Sequence, residues 1–259
     1  GCNHSSPLLK KREYAAAEYI PWIEKIRARG VEVDKLAITG GEPFLHRSLG
    51  SFISDVKEAA RPALTEVFSN CFWLRDEASI DKHDDVLKVV DRLHYSLYHP
   101  IVDRIGPEEI QRLLEVVRLR YGHLDVAAFV PGVNKTFALV TFYDSPVERL
   151  PHQTCPVKTC TQLRADGKVY RCTQGLALEG HPGMSEGFRA SKDIVFDLER
   201  DEGRDFEEWA KRWPLDACAW CSCGHGRETP IPWTNDPTIR GLGPDEYERR
   251  LVQIVFKGG

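Results

Sequence analysis

The chain has 259 residues, of which 42% are hydrophobic and 29% charged, close to the usage of ordinary globular proteins. This length accommodates one large domain, or one domain with a small appendage. The net charge is −4 and no basic stretch dominates, which argues against nucleic-acid binding. No apolar run approaches the roughly 20 residues of a membrane-spanning helix, and the start does not resemble a secretory signal. We therefore expect a cytoplasmic protein with no membrane partner.

The first half of the chain alternates helical and strand patterns. Apolar residues at helical spacing predict a helix over 12–29, with a kink expected at Pro21 and an end at Gly30. Further helices are predicted over 47–60, 79–90 and 107–121, the last with Pro107 at its first position. Strands are predicted over 35–39, 64–70, 93–98, 124–130 and 137–142.

This alternation predicts an α/β fold with a parallel sheet joined by right-handed crossovers. No Gly-x-Gly-x-x-Gly follows any strand, so a curved sheet or partial barrel fits better than a Rossmann fold. In such sheets ligands bind at the carboxyl ends of the strands. Here these ends precede loops after Thr39, Asn70 and Tyr98.

After about residue 145, prolines and cysteines interrupt the alternation. We predict a hairpin over 162–172, a loop over 173–204, a helix over 205–213 and an amphipathic stretch over 245–256. The predicted organisation is a core domain over 1–145, a cysteine-rich domain over 146–235 and a tail over 236–259.

Six of the eight cysteines lie between residues 155 and 223. Cysteines separated by two residues can present both thiolates to one metal site from a tight turn. Zinc and an iron–sulfur cluster both accept four thiolates, so the spacing leaves both open beside a third interpretation, inert buried cysteines. The predicted ligands are Cys155, Cys172, Cys218 and Cys221, with Cys160 the closest substitute for Cys155 and Cys223 the least secure candidate.

A pair of glycines follows the first predicted strand. Gly40 and Gly41 have no Cβ, so the backbone there can approach a ligand closely. The alternative is an ordinary strand-to-helix turn with Glu42 near the helix start. Upstream of this turn, Cys2 is followed by Asn3 and His4.

The segments Cys2-Asn3-His4-Ser5-Ser6-Pro7 and Thr39-Gly40-Gly41-Glu42-Pro43 resemble motifs of radical S-adenosylmethionine (SAM) enzymes. Members of that family carry Cys-x3-Cys-x2-Cys after the first strand, and Cys2 matches the last of these cysteines. The other two would precede residue 1, so we expect an N-terminally truncated chain, and activity would require the two missing cysteines. The resemblance implies a partial (βα)6 TIM-like barrel and a 4Fe–4S cluster whose open iron binds SAM.

The resemblance also assigns residues. It implies SAM contacts from Gly40, Gly41, Glu42 and Ser96, the last matching the family's fourth-strand serine. Cys71 stands where the family often has a glycine, so a contact at that point is doubtful. The spacing of Cys155 and Cys172, followed by Cys218-x2-Cys221, resembles twitch or SPASM domains and implies one auxiliary 4Fe–4S cluster.

The function implied is reductive cleavage of SAM to a 5′-deoxyadenosyl radical that modifies a substrate. A peptide or a small molecule is the candidate substrate, and flavodoxin or ferredoxin the candidate electron donor. The alternative is a zinc-stabilised binding module on a catalytically inactive barrel. No residue is assigned a catalytic role by the sequence.

Overall fold

The computed structural model describes residues 12–134, 136–139, 143, 145–147, 155, 161–172, 185–221 and 229–232, with backbone alone at 99–100, 130–134, 136–139 and 229–232. These residues divide into two compact units, one over Glu13–Lys135 and the other from Thr136 onward. The architecture is mixed α/β, which confirms the predicted class. None of the helices in the described ranges is long and apolar enough to cross a membrane.

The first unit is a parallel sheet of four strands with its connecting helices. In chain order its elements are α1 (Ile20–Arg27), β1 (Lys35–Ile38), α2 (Leu49–Ala60), β2 (Leu64–Ser69), α3 (Glu77–Lys82), α4 (Asp84–Val89), β3 (Arg92–Tyr98), α5 (His99–Ile105), α6 (Pro107–Arg120) and β4 (Asp125–Asn134).

The strands lie in the sheet in the order in which they occur in the chain, β1-β2-β3-β4. Right-handed crossovers that always advance in one direction carry their helices to one face of the sheet. Alternate residues of β3 are accordingly buried against that layer, where Leu93 shares the core with Ile53 of α2 and Leu113 of α6. The opposite face carries the other residues of each strand.

Two helix predictions need correction, and one short helix was not predicted. The helix predicted from residue 12 begins at Ile20, after a 3-10 turn over Ala16–Glu18, so Pro21 lies in its first turn and the predicted kink is wrong. The helix predicted over 79–90 is two helices that meet at His83. The short helix α5 was not predicted, because seven residues give too little periodicity to recognise.

The second unit contains two small antiparallel sheets. The predicted hairpin is confirmed as β6 (Gln162–Leu163) and β7 (Lys168–Tyr170), and β8 (Val195–Asp197) pairs with β7. The predicted fifth strand is β5 (Thr136–Leu139), but it pairs antiparallel with β9 (Thr229–Pro232) and does not extend the parallel sheet.

The helix predicted over 205–213 is confirmed as α8 (Phe206–Lys211), capped by the Asp205 side chain. The loop predicted over 173–204 is wrong in part, because it contains α7 (Glu186–Ala190) as well as β8. Both elements are too short for a periodic signal. The amphipathic stretch predicted over 245–256 lies outside the described residues.

Candidate functional site

The two glycines after β1 are exposed at the carboxyl end of the sheet. A Cβ built on Gly40 or Gly41 meets no atom within 4 Å, and neither residue has a positive φ. Among the described residues, neither packing nor backbone conformation therefore requires glycine at these positions. The space that a Cβ would enter is available to a ligand, which fits the predicted cofactor contact.

Glu42 joins this loop to the end of β2. Its Oε1 accepts hydrogen bonds from the Phe44 N–H at 3.2 Å and the Ser69 hydroxyl at 2.9 Å. Its Oε2 accepts from the Asn70 N–H at 2.7 Å. The side chain thus spans the carboxyl ends of two neighbouring parallel strands. Through these hydrogen bonds Glu42 holds the loop after β1 next to the loop after β2.

The Glu42 carboxylate keeps some capacity to bind a ligand. A carboxylate offers about four acceptor positions, and three are used here, which leaves one on Oε2. Burial raises the pKa of Glu42, while the hydrogen bonds from Asn70, Ser69 and Phe44 oppose that rise. A donor group placed at the remaining position, such as an ammonium, would favour the ionised form.

Ser69 is the centre of a buried hydrogen-bond network. Its hydroxyl donates to Glu42 and accepts from the Cys71 N–H at 2.9 Å and the Trp73 indole Nε1–H at 3.0 Å. Cys71 has φ of 60°, the left-handed region that favours glycine. Burial, and next the negative charge of Glu42, raise the pKa of the Cys71 thiol. Cys71 is thus a protonated core residue in a glycine-like conformation.

Ser96 lies on β3 at an irregularity of the sheet. The pairing of β3 with β4 shifts register between Tyr95 and Leu97, which leaves Ser96 outside the regular ladder. Ser96 is half-buried on the face away from the helices, and its hydroxyl has no hydrogen-bond partner among the described residues. The predicted cofactor contact of Ser96 stays a prediction.

The face of the sheet away from the helices carries a charged group that the sequence analysis missed. Glu66 is 1% exposed, and its Oε1 lies 3.2 Å from Lys35 Nζ, 3.2 Å from Arg92 Nη1 and 3.5 Å from His94 Nε2. His94 stacks on Phe68 with ring centroids 4.5 Å apart. Polar residues at every second position of β3 indicate a polar face of the sheet, but nothing in the sequence indicates that Glu66 of β2 is buried there.

The second unit brings distant cysteines together. Cys155, Cys172 and Cys221 are buried, and Cys218 is half-buried. Cys172 follows β7, and Cys218 lies in the 3-10 turn over Asp216–Trp220. Cys172 and Cys221 pack in one apolar cluster, against which Cys218 also packs. This is the set of four residues predicted as metal ligands.

Three of the four thiols interact electrostatically. The pKa of Cys218 is raised to about 12, mainly by burial, with smaller contributions from the charges of Cys172, Cys155 and Asp193. A backbone hydrogen bond from Leu215 acts in the opposite direction. Hydrogen bonds from backbone amides to sulfur are a usual feature of iron–sulfur sites. Neighbouring thiolates repel each other, and a bound cationic group would offset that repulsion.

The turn that carries Cys218 and Cys221 is closed by a hydrogen bond from the Cys221 N–H to the Cys218 carbonyl at 3.3 Å. Gly187 of α7 packs directly on this turn, since a Cβ there would lie 2.3 Å from ring carbons of Trp220. Trp213 and Trp220 pack against the apolar cluster. The helix α7 therefore supports the cysteine turn.

Several predicted site residues lie outside the described ranges, namely Cys2, Cys160 and Cys223. Within those ranges, no three His, Cys, Asp or Glu side chains converge as the ligands of a single metal ion would. A four-iron cluster spreads its thiolates around a larger volume than one ion does. A donor set of four cysteine sulfurs fits such a cluster chemically.

Comparison of the chain with protein-family models gave no match, and comparison with curated proteins gave none either. The resemblance to radical SAM enzymes therefore rests on the sequence motifs alone.

Proposed function

We propose that this protein is a radical SAM enzyme of the cytoplasm, with a partial-barrel core and one auxiliary 4Fe–4S cluster of the twitch or SPASM type. When bound, SAM and its cluster would supply reductive cleavage of a sulfonium bond and a radical able to abstract hydrogen. The protein contributes binding, orientation and exclusion of competing reactions. A peptide is the proposed substrate class, with a small molecule as the competitor and a flavodoxin or ferredoxin as the electron donor.

The observation that carries the proposal is the grouping of the predicted ligands. Cys172 is far in the chain from Cys218 and Cys221, yet Cys172 and Cys221 pack in one apolar cluster against which Cys218 also packs. Packing alone does not demand that free cysteines meet, because each could bury separately among apolar side chains. A shared ligand gives a reason for bringing them together.

The core motif gives independent support. Gly40, Gly41, Glu42 and Ser96 occur at or near the carboxyl ends of β1 and β3, in the part of a parallel sheet where ligands bind. The glycines leave open space, Glu42 retains one acceptor position, and the Ser96 hydroxyl has no partner among the described residues. Each can be offered to a cofactor without breaking a described contact.

Anaerobic reconstitution with iron and sulfide tests the auxiliary site. We expect a brown protein with about four irons bound through these cysteines, and loss of most of that iron in Cys218→Ser. Cys71→Ser is the matched control, because Cys71 is also a buried free thiol but is not a predicted ligand. A colourless protein that retains one zinc would favour the binding-module alternative.

SAM chemistry is tested separately, in a chain extended upstream to include the two further cysteines of the motif. After reduction with dithionite we expect release of 5′-deoxyadenosine, abolished by Cys2→Ser. Gly41→Ala should reduce SAM binding without affecting folding, because its Cβ meets open space in the described chain. Gly203→Ala, which also meets open space, is the control. Equal SAM affinity in these two variants would contradict the assigned contact.

A further inference from the structure

Arg171 is a buried cation next to a predicted ligand. It immediately precedes Cys172 and is only 4% exposed. Its side chain reaches the end of α8, where Nη1 donates to the Trp209 carbonyl at 2.9 Å and to the Ala210 carbonyl. A guanidinium stays charged in proteins, and burying a charge is costly unless another charge balances it.

The described partners of Arg171 leave this charge incompletely balanced. Its Nε is buried and has no hydrogen-bond partner, and no carboxylate forms an ion pair with it in the described part of the chain. Asp193, itself 4% exposed, attracts Arg171 electrostatically. The Asp193 Oδ2, however, accepts a hydrogen bond from the Asp216 N–H, and its Oδ1 is buried without a partner.

The remaining neighbours of Arg171 that can carry negative charge are cysteines. Cys172 is adjacent in the chain, and Cys218 packs against the apolar cluster that contains Cys172. As neutral thiols these groups would give a buried cation little compensation. Four thiolates on an iron–sulfur cluster carry a net negative charge, which would balance it.

We propose that Arg171 is a positioning residue of the four-cysteine centre: its guanidinium offsets the thiolate charge, and its Nε–H is available to a sulfur of the bound cluster. This inference rests on the proposed function, because it requires an iron–sulfur cluster at Cys155, Cys172, Cys218 and Cys221. A nearby positive charge favours the more negative, reduced form of a cluster. Arg171 therefore raises the reduction potential of the auxiliary cluster.

The test is a redox titration of the reconstituted chain, followed by the electron paramagnetic resonance of the reduced cluster. In Arg171→Gln we expect the ratio of reduced to oxidised cluster at a fixed potential to fall at least tenfold, which is about 59 mV for one electron. Arg171→Lys keeps the positive charge, so the ratio should fall less than in Arg171→Gln. Arg200→Gln removes the same charge from a side chain that is 85% exposed in the same unit, and should leave the ratio unchanged.

A second measurement uses the unsubstituted protein and so does not depend on the folding of a variant. With arginine labelled by 15N in the guanidinium, the reduced cluster should show a hyperfine coupling to 15N that is absent in Arg171→Lys. Absence of the coupling in the unsubstituted protein would overturn the hydrogen bond to sulfur. A fully loaded cluster with the same potential in Arg171→Gln and Arg200→Gln would overturn the inference alone, whereas failure to form any cluster would overturn the proposed function with it.

Discussion

The Ser69 hydroxyl donates a hydrogen bond of 2.9 Å to the Glu42 carboxylate, and this contact ties the loop after β1 to the end of β2. The same hydroxyl accepts from the Trp73 indole at 3.0 Å, so one serine connects the proposed cofactor loop to the buried core. The geometry of the Gly40–Gly41 turn is thereby linked to core packing. The stability of the network and the binding of a cofactor can be measured separately.

Ser69→Ala tests the network directly. The substitution removes one donor from Glu42 and leaves the Trp73 Nε1–H buried without its acceptor, so we expect the free energy of unfolding to fall by about 2 kcal/mol. The measurement is urea denaturation monitored by tryptophan fluorescence. Ser51→Ala is the control, since its exposed hydroxyl donates only to the Ser48 carbonyl. Equal stability of the two variants would show that the network contributes nothing.

The pH dependence of stability tests the burial of Glu42. Burial raises its pKa above 4.5, so between 4.5 and the raised value the folded protein binds more protons than the unfolded chain. The Glu42 contribution to the free energy of unfolding therefore falls as pH rises through this window and is constant above it. Glu42→Gln lacks this contribution.

We expect the stability of the unsubstituted protein minus that of Glu42→Gln to decrease as the pH rises above 4.5. Urea denaturation at several pH values measures the difference, in which contributions from other carboxylates cancel. Glu115→Gln, which removes an exposed partner of Arg118, is the comparison and should not show a fall of this sign. A difference that rises with pH would mean that hydrogen bonding outweighs burial at Glu42.

Gly187→Ala tests the support of the cysteine turn by α7. The added methyl group would lie 2.3 Å from the Trp220 ring, so the helix or the ring must move, and we expect a loss of about 1–3 kcal/mol. Movement of Trp220 also displaces the turn between Cys218 and Cys221, so iron binding should weaken. Gly203→Ala meets no atom within 4 Å and should change neither property. Calorimetry and iron analysis give the two readouts.

Substitutions of Cys71 test the glycine-like backbone conformation after β2. A β-branched side chain is strongly disfavoured at φ of 60°, so Cys71→Val should lower the free energy of unfolding by about 2 kcal/mol or more. Cys71→Gly relieves the strain but loses buried apolar surface, and these effects of about 1 kcal/mol each nearly cancel. If valine proved as stable as glycine in thermal denaturation, the left-handed conformation would be wrong.

The long elements of the first unit were predictable because their signals are local. Exposed and half-buried residues alternate along the strand Lys35–Ile38, and buried residues recur at helical spacing along Leu49–Ala60, as the geometry of each element imposes. Short elements carry too few repeats, and α5, α7 and β8 were missed for that reason. The partner of β5 could not be read from its own residues, because a strand pattern does not specify which strand it pairs with.

The candidate site residues also divide into those with a local signal in the sequence and those without one. The glycine pair and the cysteine spacing could be recognised from the chain, since both depend on residues close in sequence. The buried Glu66 and the position of Arg171 could not, because a charged residue is ordinarily exposed and only its three-dimensional neighbours make it otherwise.

The sequence by itself therefore determined the alternation of helices and strands, the turn of two glycines after β1 and the four cysteines most suited to share a ligand. Tertiary structure alone decided that Ser69 bonds Glu42, that Cys172 packs in one apolar cluster with Cys221, and that Arg171 is buried beside Cys172. The physical reason is that periodicity is a property of one segment. The partner of a buried polar atom depends on which distant segments pack against it.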